Sequence, residues 1–295
     1  SSLAEILSRD KETAGLQEPE EFTPKAPTNI EGTGLNHVFI ENLICKMLLA
    51  HDSLSGRDIA NSLGLQLKII SDLLYNLKQR LILGYQSTAG VNDFNYILTD
   101  KGRERALLAR EQTNYIGTAP VPFSDYLASI EQQSILNEHP GPENLKEAFS
   151  GLTLPGDFIS LLGPAINSGR GLFLYGKPGN GKTEIATRVA HCFTNSVYIP
   201  KTIIAEGELI QLFDPQCHTP VEIKGESRDM IDARWLKIER PSVVVGGEMD
   251  LDSLEIGYNT KTKICEGSLQ LKGNGGIFVI DDFGRQRIGP EQLLN

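Results

Sequence analysis

The sequence predicts two folded units, a small N-terminal α+β domain and a larger C-terminal α/β core built on a parallel sheet. Three observations predict this. Apolar residues recur at helical spacing after His37 and then give way to two short strand patterns. Further on, residues 171–175 and 277–280 are apolar runs short enough for buried parallel strands. A glycine-rich loop follows the first run, and two aspartates follow the second.

Length and composition fit two ordinary domains. The chain has 295 residues, 40% of them hydrophobic, and a formal net charge of −10. The negative charge argues against bulk affinity for nucleic acid but leaves room for one local basic face. No apolar run is long enough to span a membrane, and the first ten residues lack a signal-peptide pattern. Four widely spaced cysteines predict reduced thiols and a cytoplasmic protein: Cys45, Cys192, Cys217 and Cys265.

Residues 35–112 are predicted to form a winged helix-turn-helix domain. Helical periodicity starts at His37 and predicts three helices, the second of which ends at Gly64. Two short strands, predicted at 81–85 and 94–98, then precede a last helix that Thr99 or Asp100 can cap. Proline-rich stretches frame this domain. Residues 1–34 are predicted to be a flexible N-terminal segment, and residues 113–150 a linker with one helix.

Whether this domain binds DNA is left open by its charge. Residues 35–112 contain nine Lys or Arg and eight Asp or Glu, whereas a duplex reader usually shows a basic footprint. The candidate recognition helix carries Lys68, Lys78 and Arg80, but also Asp72. The alternatives are DNA binding, protein docking and a purely structural wing.

The segment 176–183 predicts a binding site for the phosphates of ATP. Its backbone N–H groups can point inward as a nest for phosphate oxygens, and its glycines permit the backbone angles that this requires. A strand before the loop and a helix after it are the context that the motif needs. We expect Lys182 to reach the β- and γ-phosphates and Thr183 to offer its hydroxyl to Mg²⁺. The predicted ATP-binding residues are Gly176, Lys177, Pro178, Gly179, Asn180, Gly181, Lys182 and Thr183.

Two carboxylates complete the predicted site. Asp281 and Asp282 come directly after the apolar run 277–280, and the carboxyl ends of parallel strands face the ligand in nucleotide-binding sheets. We expect Asp281 to bind the Mg²⁺ together with Thr183. Asp282 is then the predicted general base, which with Lys182 makes the catalytic pair.

The two motifs together resemble those of the AAA+ ATPases. The first reads GLFLYGKPGNGKT and the second GGIFVIDDFGRQR, and with the winged helix they are similar to poorly characterised bacterial members of that superfamily. The resemblance covers residues 152–295. It implies a P-loop NTPase core with a parallel sheet that is incomplete at its C-terminus, and an Mg²⁺-dependent ATP hydrolase that works as a ring or helical homo-oligomer.

The sequence departs from that family in two ways. Many members have Glu where this chain has Asp282, and the shorter side chain predicts slow turnover or a nucleotide switch. The family's sensor strand, arginine finger and helical lid would lie beyond Asn295, so residues 151–295 are expected to be a truncated core with little activity alone. Arg285 and Arg287 come too early for an arginine finger and are expected to face a neighbouring subunit, a substrate or water.

The segment between the motifs predicts a strand at 196–199, a helix at 205–213 and a β-rich insertion over 214–272. Within this insertion, the candidate strands are 235–238, 242–245, 254–256 and 263–265. This insertion either contacts a substrate or neighbouring subunit, or only braces the sheet. His218 beside Cys217 supplies two potential metal ligands, which is too few for a site, so a chance pair is favoured.

Three functions are compatible with these patterns. The first is an ATPase that remodels a protein or nucleic-acid client recruited by the winged helix. The second is an ATP-dependent DNA-binding regulator or loader. A small-molecule kinase is the third, but no acceptor-site pattern supports it.

Overall fold

The structure is a computed structural model that describes residues 22–90, 93–193, 196–223, 230–247, 250 and 253–284. Its first part follows the order helix, strand, two helices, hairpin and closing helix, which is the order of a winged helix. The elements are α1 (His37–His51), β1 (Ser53–Ser55), α2 (Gly56–Leu63), α3 (Leu67–Gln79), β2 (Leu83–Gly90), β3 (Asp93–Leu98) and α4 (Asp100–Gln112).

Local hydrogen bonds explain where these helices begin and end. In three helices a side chain accepts a hydrogen bond from a backbone N–H group of the first turn. These caps are Asn36 for α1, Ser55 for α2 and Thr99 for α4. Gly64 ends α2 in the left-handed conformation, with φ of 67°. Gly34 ends the 3₁₀ turn Glu31–Thr33 in the same way, with φ of 68°. Both the cap at Thr99 and the stop at Gly64 agree with the sequence patterns.

A three-stranded antiparallel sheet in the order β1-β3-β2 packs against the helices. The apolar sides of α1, α2 and α3 form one core with buried residues such as Ile40, Ile44, Ile59, Ile70 and Leu74. A buried carboxylate also links the helices. Glu41 of α1 is 2% exposed and accepts hydrogen bonds from Arg80 at 2.8 Å and Arg105 at 2.7 Å.

Gly102 marks the closest approach of α4 to the chain that precedes β2. A Cβ atom added there would lie 2.1 Å from the carbonyl oxygen of Ile82. We therefore expect Gly102→Ala to lower the free energy of unfolding by about 1–3 kcal/mol, since backbone must shift to relieve the overlap. Urea denaturation measures this.

Gly84→Ala is the matched control for that substitution. Its Cβ would have its nearest contact at 3.5 Å, with the side chain of Ile97, which is ordinary van der Waals distance. We expect a change of less than about 1 kcal/mol there. Equal losses for the two alanines would show that the close approach at Gly102 is not what requires glycine.

The rest of the chain has short elements. They are β4 (Val121–Pro122), α5 (Phe123–Gln132), α6 (Pro142–Ala148), α7 (Phe158–Asn167), α8 (Lys182–Arg188), β5 (Val197–Pro200), β6 (Thr202–Ala205), β7 (Glu208–Gln211), β8 (Trp235–Ile238), β9 (Ser242–Val245), β10 (Gly257–Asn259), β11 (Ile264–Glu266), α9 (Leu269–Lys272) and β12 (Ile277–Ile280). Single 3₁₀ turns lie at Glu31–Thr33, Ile135–Asn137 and Val189–Cys192.

The predicted parallel sheet of a P-loop NTPase core is wrong. The described strands of this part form one five-stranded sheet in the order β10-β11-β7-β6-β4 and two pairs, β12-β9 and β5-β8. The pairs β10–β11, β6–β7 and β5–β8 are antiparallel, while β4–β6, β11–β7 and β12–β9 are parallel. The physical reason lies at residues 171–175, which form no strand and so cannot join β12 in a parallel sheet.

The helix predicted at 205–213 is also wrong. Residues on either side of Glu206 and Gly207 form the antiparallel hairpin β6–β7 instead. Both central residues have positive φ, 51° and 89°. A two-residue turn with positive φ at both positions matches the twist of a hairpin, and glycine at the second position lowers its cost. The apolar residues on both sides thus follow strand rather than helical periodicity.

A buried ion pair ties distant segments together beside this sheet. The Arg234 guanidinium and the Asp232 carboxylate are each 3% exposed and lie 2.8 Å apart. Arg234 also donates to the carbonyl oxygens of Thr33 at 2.9 Å and Pro120 at 3.3 Å. This one side chain therefore connects the segment before α1, the segment before β4 and the start of β8.

The strands predicted within the 214–272 insertion are partly confirmed. Strands β8 and β9 lie where the sequence predicted them, and β11 is displaced by one residue from the predicted 263–265. The segment 254–256 is not a strand, because pairing with β11 begins only at Gly257.

Candidate nucleotide-binding site

The glycine-rich loop adopts backbone conformations that only glycine takes easily. Gly176, Gly179 and Gly181 have φ of 155°, 83° and 69°. A Cβ added at Gly179 or Gly181 would meet no atom within 4 Å. Glycine is therefore needed there for backbone freedom, and the space in front of the loop is open. Seven of the eight predicted binding residues from 176 to 183 are exposed, and Lys182 is half-buried.

Lys182 begins α8 and turns back onto the loop. Its ammonium donates to the carbonyl oxygens of Gly176 at 3.2 Å and Lys177 at 3.1 Å. These bonds hold the positive charge against the loop rather than in solvent. Gly181, the residue before the helix, provides no side-chain cap for the first N–H groups.

Thr183 and Asp281 meet although they are 98 residues apart in the chain. The Thr183 hydroxyl donates to Oδ2 of Asp281 at 2.7 Å. The sequence predicted that these two side chains share one magnesium ion, and the structure brings them together as that requires. Asp281 is half-buried and Thr183 exposed, so the pair can be reached from solvent.

The backbone around Asp281 is held by strand β9. β12 pairs in parallel with β9 from Ile277 to Ile280, and the Asp281 N–H donates to the Val245 carbonyl oxygen at 2.8 Å. At the other end of β12, a Cβ on Gly276 would lie 2.0 Å from the Pro241 carbonyl oxygen. The close approach of the two strands thus fixes where the carboxylate emerges.

Asp282 has the left-handed backbone conformation, with φ of 51°. Its N–H donates to Oδ1 of Asp281 at 2.9 Å, which orients the neighbouring carboxylate. The residue is exposed, as the role of a general base for a water molecule would require. Nothing in its surroundings tests that catalytic role, which stays a prediction.

The strand predicted before the loop is absent. Residues 171–175 have no regular structure, and Phe173 and Tyr175 are 68% and 87% exposed. Phe173 makes an edge contact with Phe283, at 6.0 Å between ring centroids. An aromatic cluster therefore lies next to the loop where a buried strand was expected. Arg285 and Arg287 lie outside the described residues.

His218 takes a structural role. Its Nδ1 accepts from the Asp214 N–H at 3.0 Å, so Nε2 carries the proton and donates to the Lys272 carbonyl oxygen at 2.8 Å. Burial lowers the pKa of His218, which favours the neutral ring in these bonds. With both nitrogens engaged, the ring is not available to a metal beside Cys217. All four cysteines are free thiols.

Two of the three basic residues predicted for the recognition helix have partners within the domain. The Lys78 ammonium lies 4.6 Å from the ring centre of Tyr85 on the wing, and Arg80 pairs with the buried Glu41. The exposed face of α3 is formed by polar residues and one tyrosine: Lys68, Ser71, Asp72, Tyr75, Asn76 and Gln79.

The structure thus brings the glycine-rich loop, Lys182, Thr183 and Asp281 together in one exposed region. No protein-family model and no curated protein matches the chain. The chain is similar to a solved structure, the crystal structure of a MepR-like protein complexed with pseudoligands. It is 16% identical over 55% of this chain and 88% of its own, with a TM-score of 0.23. A score that low carries no argument about fold or function, and the resemblance to AAA+ ATPases stays a prediction from the two motifs.

Within the described residues, no helix combines the length and apolarity needed to cross a bilayer.

Proposed function

We propose that this chain binds ATP with Mg²⁺ at the loop 176–183 and Asp281. The observation that carries the proposal is the 2.7 Å hydrogen bond between the Thr183 hydroxyl and the Asp281 carboxylate. A hydroxyl and a carboxylate are oxygen ligands that Mg²⁺ prefers, and P-loop proteins hold the ion with this pair of groups. The glycine-rich loop with its positively charged Lys182 lies directly beside them.

The residues present fit the two groups that the proposal requires. Thr183 and Asp281 would hold Mg²⁺, which supplies positive charge to neutralise the phosphate oxygens. Lys182 would exchange its bonds to the Gly176 and Lys177 carbonyl oxygens for bonds to phosphate, which are charge-assisted and stronger. The open space in front of Gly179 and Gly181 leaves the loop accessible to the ligand.

ATP hydrolysis is the activity that we propose for the intact site. Lys182 stabilises the charge of the transferred phosphate group, and Asp282 orients and deprotonates the attacking water. Coupling of hydrolysis to a protein or nucleic-acid client in a homo-oligomer belongs to the same proposal and rests on the motif resemblance alone.

Lys182→Ala tests the binding proposal. We expect the Kd for ATP, measured by calorimetry with Mg²⁺ present, to rise by about tenfold, because a charge-assisted hydrogen bond contributes about 1.5–3 kcal/mol and the half-exposed position favours the lower end. Omission of Mg²⁺ should weaken binding to the unsubstituted chain as well.

Lys177→Ala is the matched control, since it removes the same charge from the same loop but keeps the backbone N–H through which Lys177 is predicted to contribute to phosphate binding. Lys177 contributes its carbonyl oxygen to Lys182, and that group is retained in alanine. We expect its Kd to change by less than about threefold, as for an exposed charge. An equal loss of ATP affinity in the two variants would mean that binding depends only on the net charge of the loop and not on Lys182 itself. If the unsubstituted chain bound no measurable ATP, the proposal would be wrong.

Duplex DNA binding through α3 is the second candidate. The observation that favours it is the exposed face of α3, where Ser71, Asn76 and Gln79 offer hydrogen-bonding groups beside Lys68. Amide and hydroxyl side chains on one exposed helix face can reach base edges in a major groove. The wing β2–β3 stands next to this helix, with Tyr85 against Lys78.

Fluorescence anisotropy at two salt concentrations discriminates this candidate. DNA binding by the full chain should weaken as salt rises, and Lys68→Ala should weaken it further, because each phosphate contact releases counterions. Lys146→Ala, in the exposed pair with Glu143, is the control that should have no effect. Absence of salt-dependent binding would remove DNA from the proposal and leave ATP binding untouched.

A further inference from the structure

A pocket of about 470 Å³ lies where the segment after α4 meets the hairpin β6–β7. Its volume falls within the usual range for sites that hold small molecules, about 300–1,000 Å³. The walls are largely apolar and come from four separate parts of the chain: Tyr115, Ile116, Phe213, Leu236 and Ile264. It contains none of the residues of the proposed nucleotide site.

Among the residues that the structure describes, one charged residue, Lys201, lines this pocket. Three backbone hydrogen bonds fix its position between β5 and β6. Its N–H donates to the Arg234 carbonyl oxygen at 3.0 Å, and its own carbonyl oxygen accepts from Leu212 and Phe213, both at 3.1 Å. The lysine is half-buried. Its backbone is therefore held firmly at the wall of the cavity.

The Lys201 ammonium lacks a hydrogen-bonding or ion-pairing partner among the residues that the structure describes. The nearby carboxylate of Asp232 already accepts hydrogen bonds from the Arg234 guanidinium, at 2.8, 2.9 and 3.0 Å. Burial lowers the pKa of Lys201, and the charge of Asp232 only partly offsets this. A half-buried cation without a direct partner gains free energy when an anion joins it.

Polar groups next to the lysine are held in place by the pocket itself. The Tyr115 hydroxyl donates to the Thr118 carbonyl oxygen at 2.6 Å and lies 3.0 Å from the Thr202 hydroxyl. Gln211 and Asn114 add amide groups at the lining. The pocket thus combines an apolar body with one cation and a few hydrogen-bonding groups, which is the composition of a specific ligand site.

We propose that this pocket binds a small amphipathic monoanion, a carboxylate on an apolar body, with the carboxylate on the Lys201 ammonium and the apolar part against Phe213, Leu236 and Ile264. A phosphate ester with several charges fits less well, since a single cation lines the pocket among the described residues. The site is independent of ATP binding.

Octanoate is a suitable probe and 1-octanol its uncharged counterpart. By calorimetry on the full chain, we expect octanoate to bind at least about tenfold more tightly than octanol. One charge-assisted hydrogen bond contributes enough binding free energy for a difference of that size. Lys201→Met should abolish this preference, because it keeps the length of the side chain and removes the charge. Lys201→Arg should retain it, and Lys146→Met, on an exposed lysine elsewhere, should leave it unchanged.

A measurement on the unsubstituted chain covers the case in which Lys201→Met does not fold. Acetylation by acetic anhydride, followed by mass spectrometry, reports the reactivity of each lysine. Octanoate should slow acetylation at Lys201 severalfold and leave Lys146 unaffected. Equal acetylation of Lys201 with and without octanoate, or equal octanoate affinity in Lys201→Met, would overturn the proposal.

Discussion

Replacement of Asp232 by alanine is expected to lower the free energy of unfolding by about 3–5 kcal/mol, the usual loss when one member of a buried ion pair is removed. Arg234 would keep its charge in a site where it is 3% exposed. Its bonds to the Thr33 and Pro120 carbonyl oxygens cannot replace the carboxylate, because neutral acceptors compensate a buried charge only in part. Urea denaturation followed by circular dichroism measures the change.

Glu143→Ala is the matched control for this prediction. Glu143 pairs with Lys146 at 2.9 Å, but both side chains are mostly exposed, and such pairs contribute about 0–1 kcal/mol. The comparison isolates burial, since each variant removes one carboxylate from one ion pair. Similar losses in the two variants would mean that Arg234 reaches water in solution and that the three segments are not held together by this pair.

Asp281→Asn is expected to weaken Mg²⁺-dependent ATP binding by about 10–100-fold, the range found when groups that hold or orient a metal's ligands are changed. Asparagine keeps the shape and one oxygen acceptor for Thr183 but removes the negative charge that Mg²⁺ requires. ATP affinity without Mg²⁺ should change little. Calorimetric titrations with and without the ion separate the two quantities.

Asp282→Asn is the control within the same dipeptide. Asparagine tolerates the left-handed conformation at this position, where φ is 51°, so the backbone should be retained. We expect ATP and Mg²⁺ to bind as before while hydrolysis falls, because an amide cannot accept the proton of the attacking water. Loss of binding in Asp282→Asn with normal binding in Asp281→Asn would reverse the assigned roles.

The helices of the first domain could be predicted from sequence because local interactions define their ends. Gly64 stops α2 and Thr99 caps α4 through hydrogen bonds that span at most a few residues. The apolar periodicity of α3 is equally local. The wing needed only a turn between two short strands, and β3 begins within one residue of its predicted start.

Prediction failed where the same residues satisfy two local patterns. The segment around Glu206 and Gly207 has apolar residues on both sides, and its periodicity over so few residues did not separate helix from hairpin. The run 171–175 reads as a buried strand, yet in the folded chain Tyr175 is 87% exposed and lacks strand pairing. A strand needs a neighbour, and neighbours are chosen by the tertiary structure.

The sequence by itself determined the chemical groups of the candidate site: the glycines that allow positive φ in the loop, the lysine at the start of α8, and the aspartates after β12. Only the tertiary structure decided that Thr183 and Asp281 lie 2.7 Å apart, that Arg234 is buried against Asp232, and that Lys201 lines a pocket. The reason is the range of the interactions. Helix caps and positive-φ turns follow from residues close together in the chain, whereas strand pairing and contacts between remote residues depend on the packing of the whole chain.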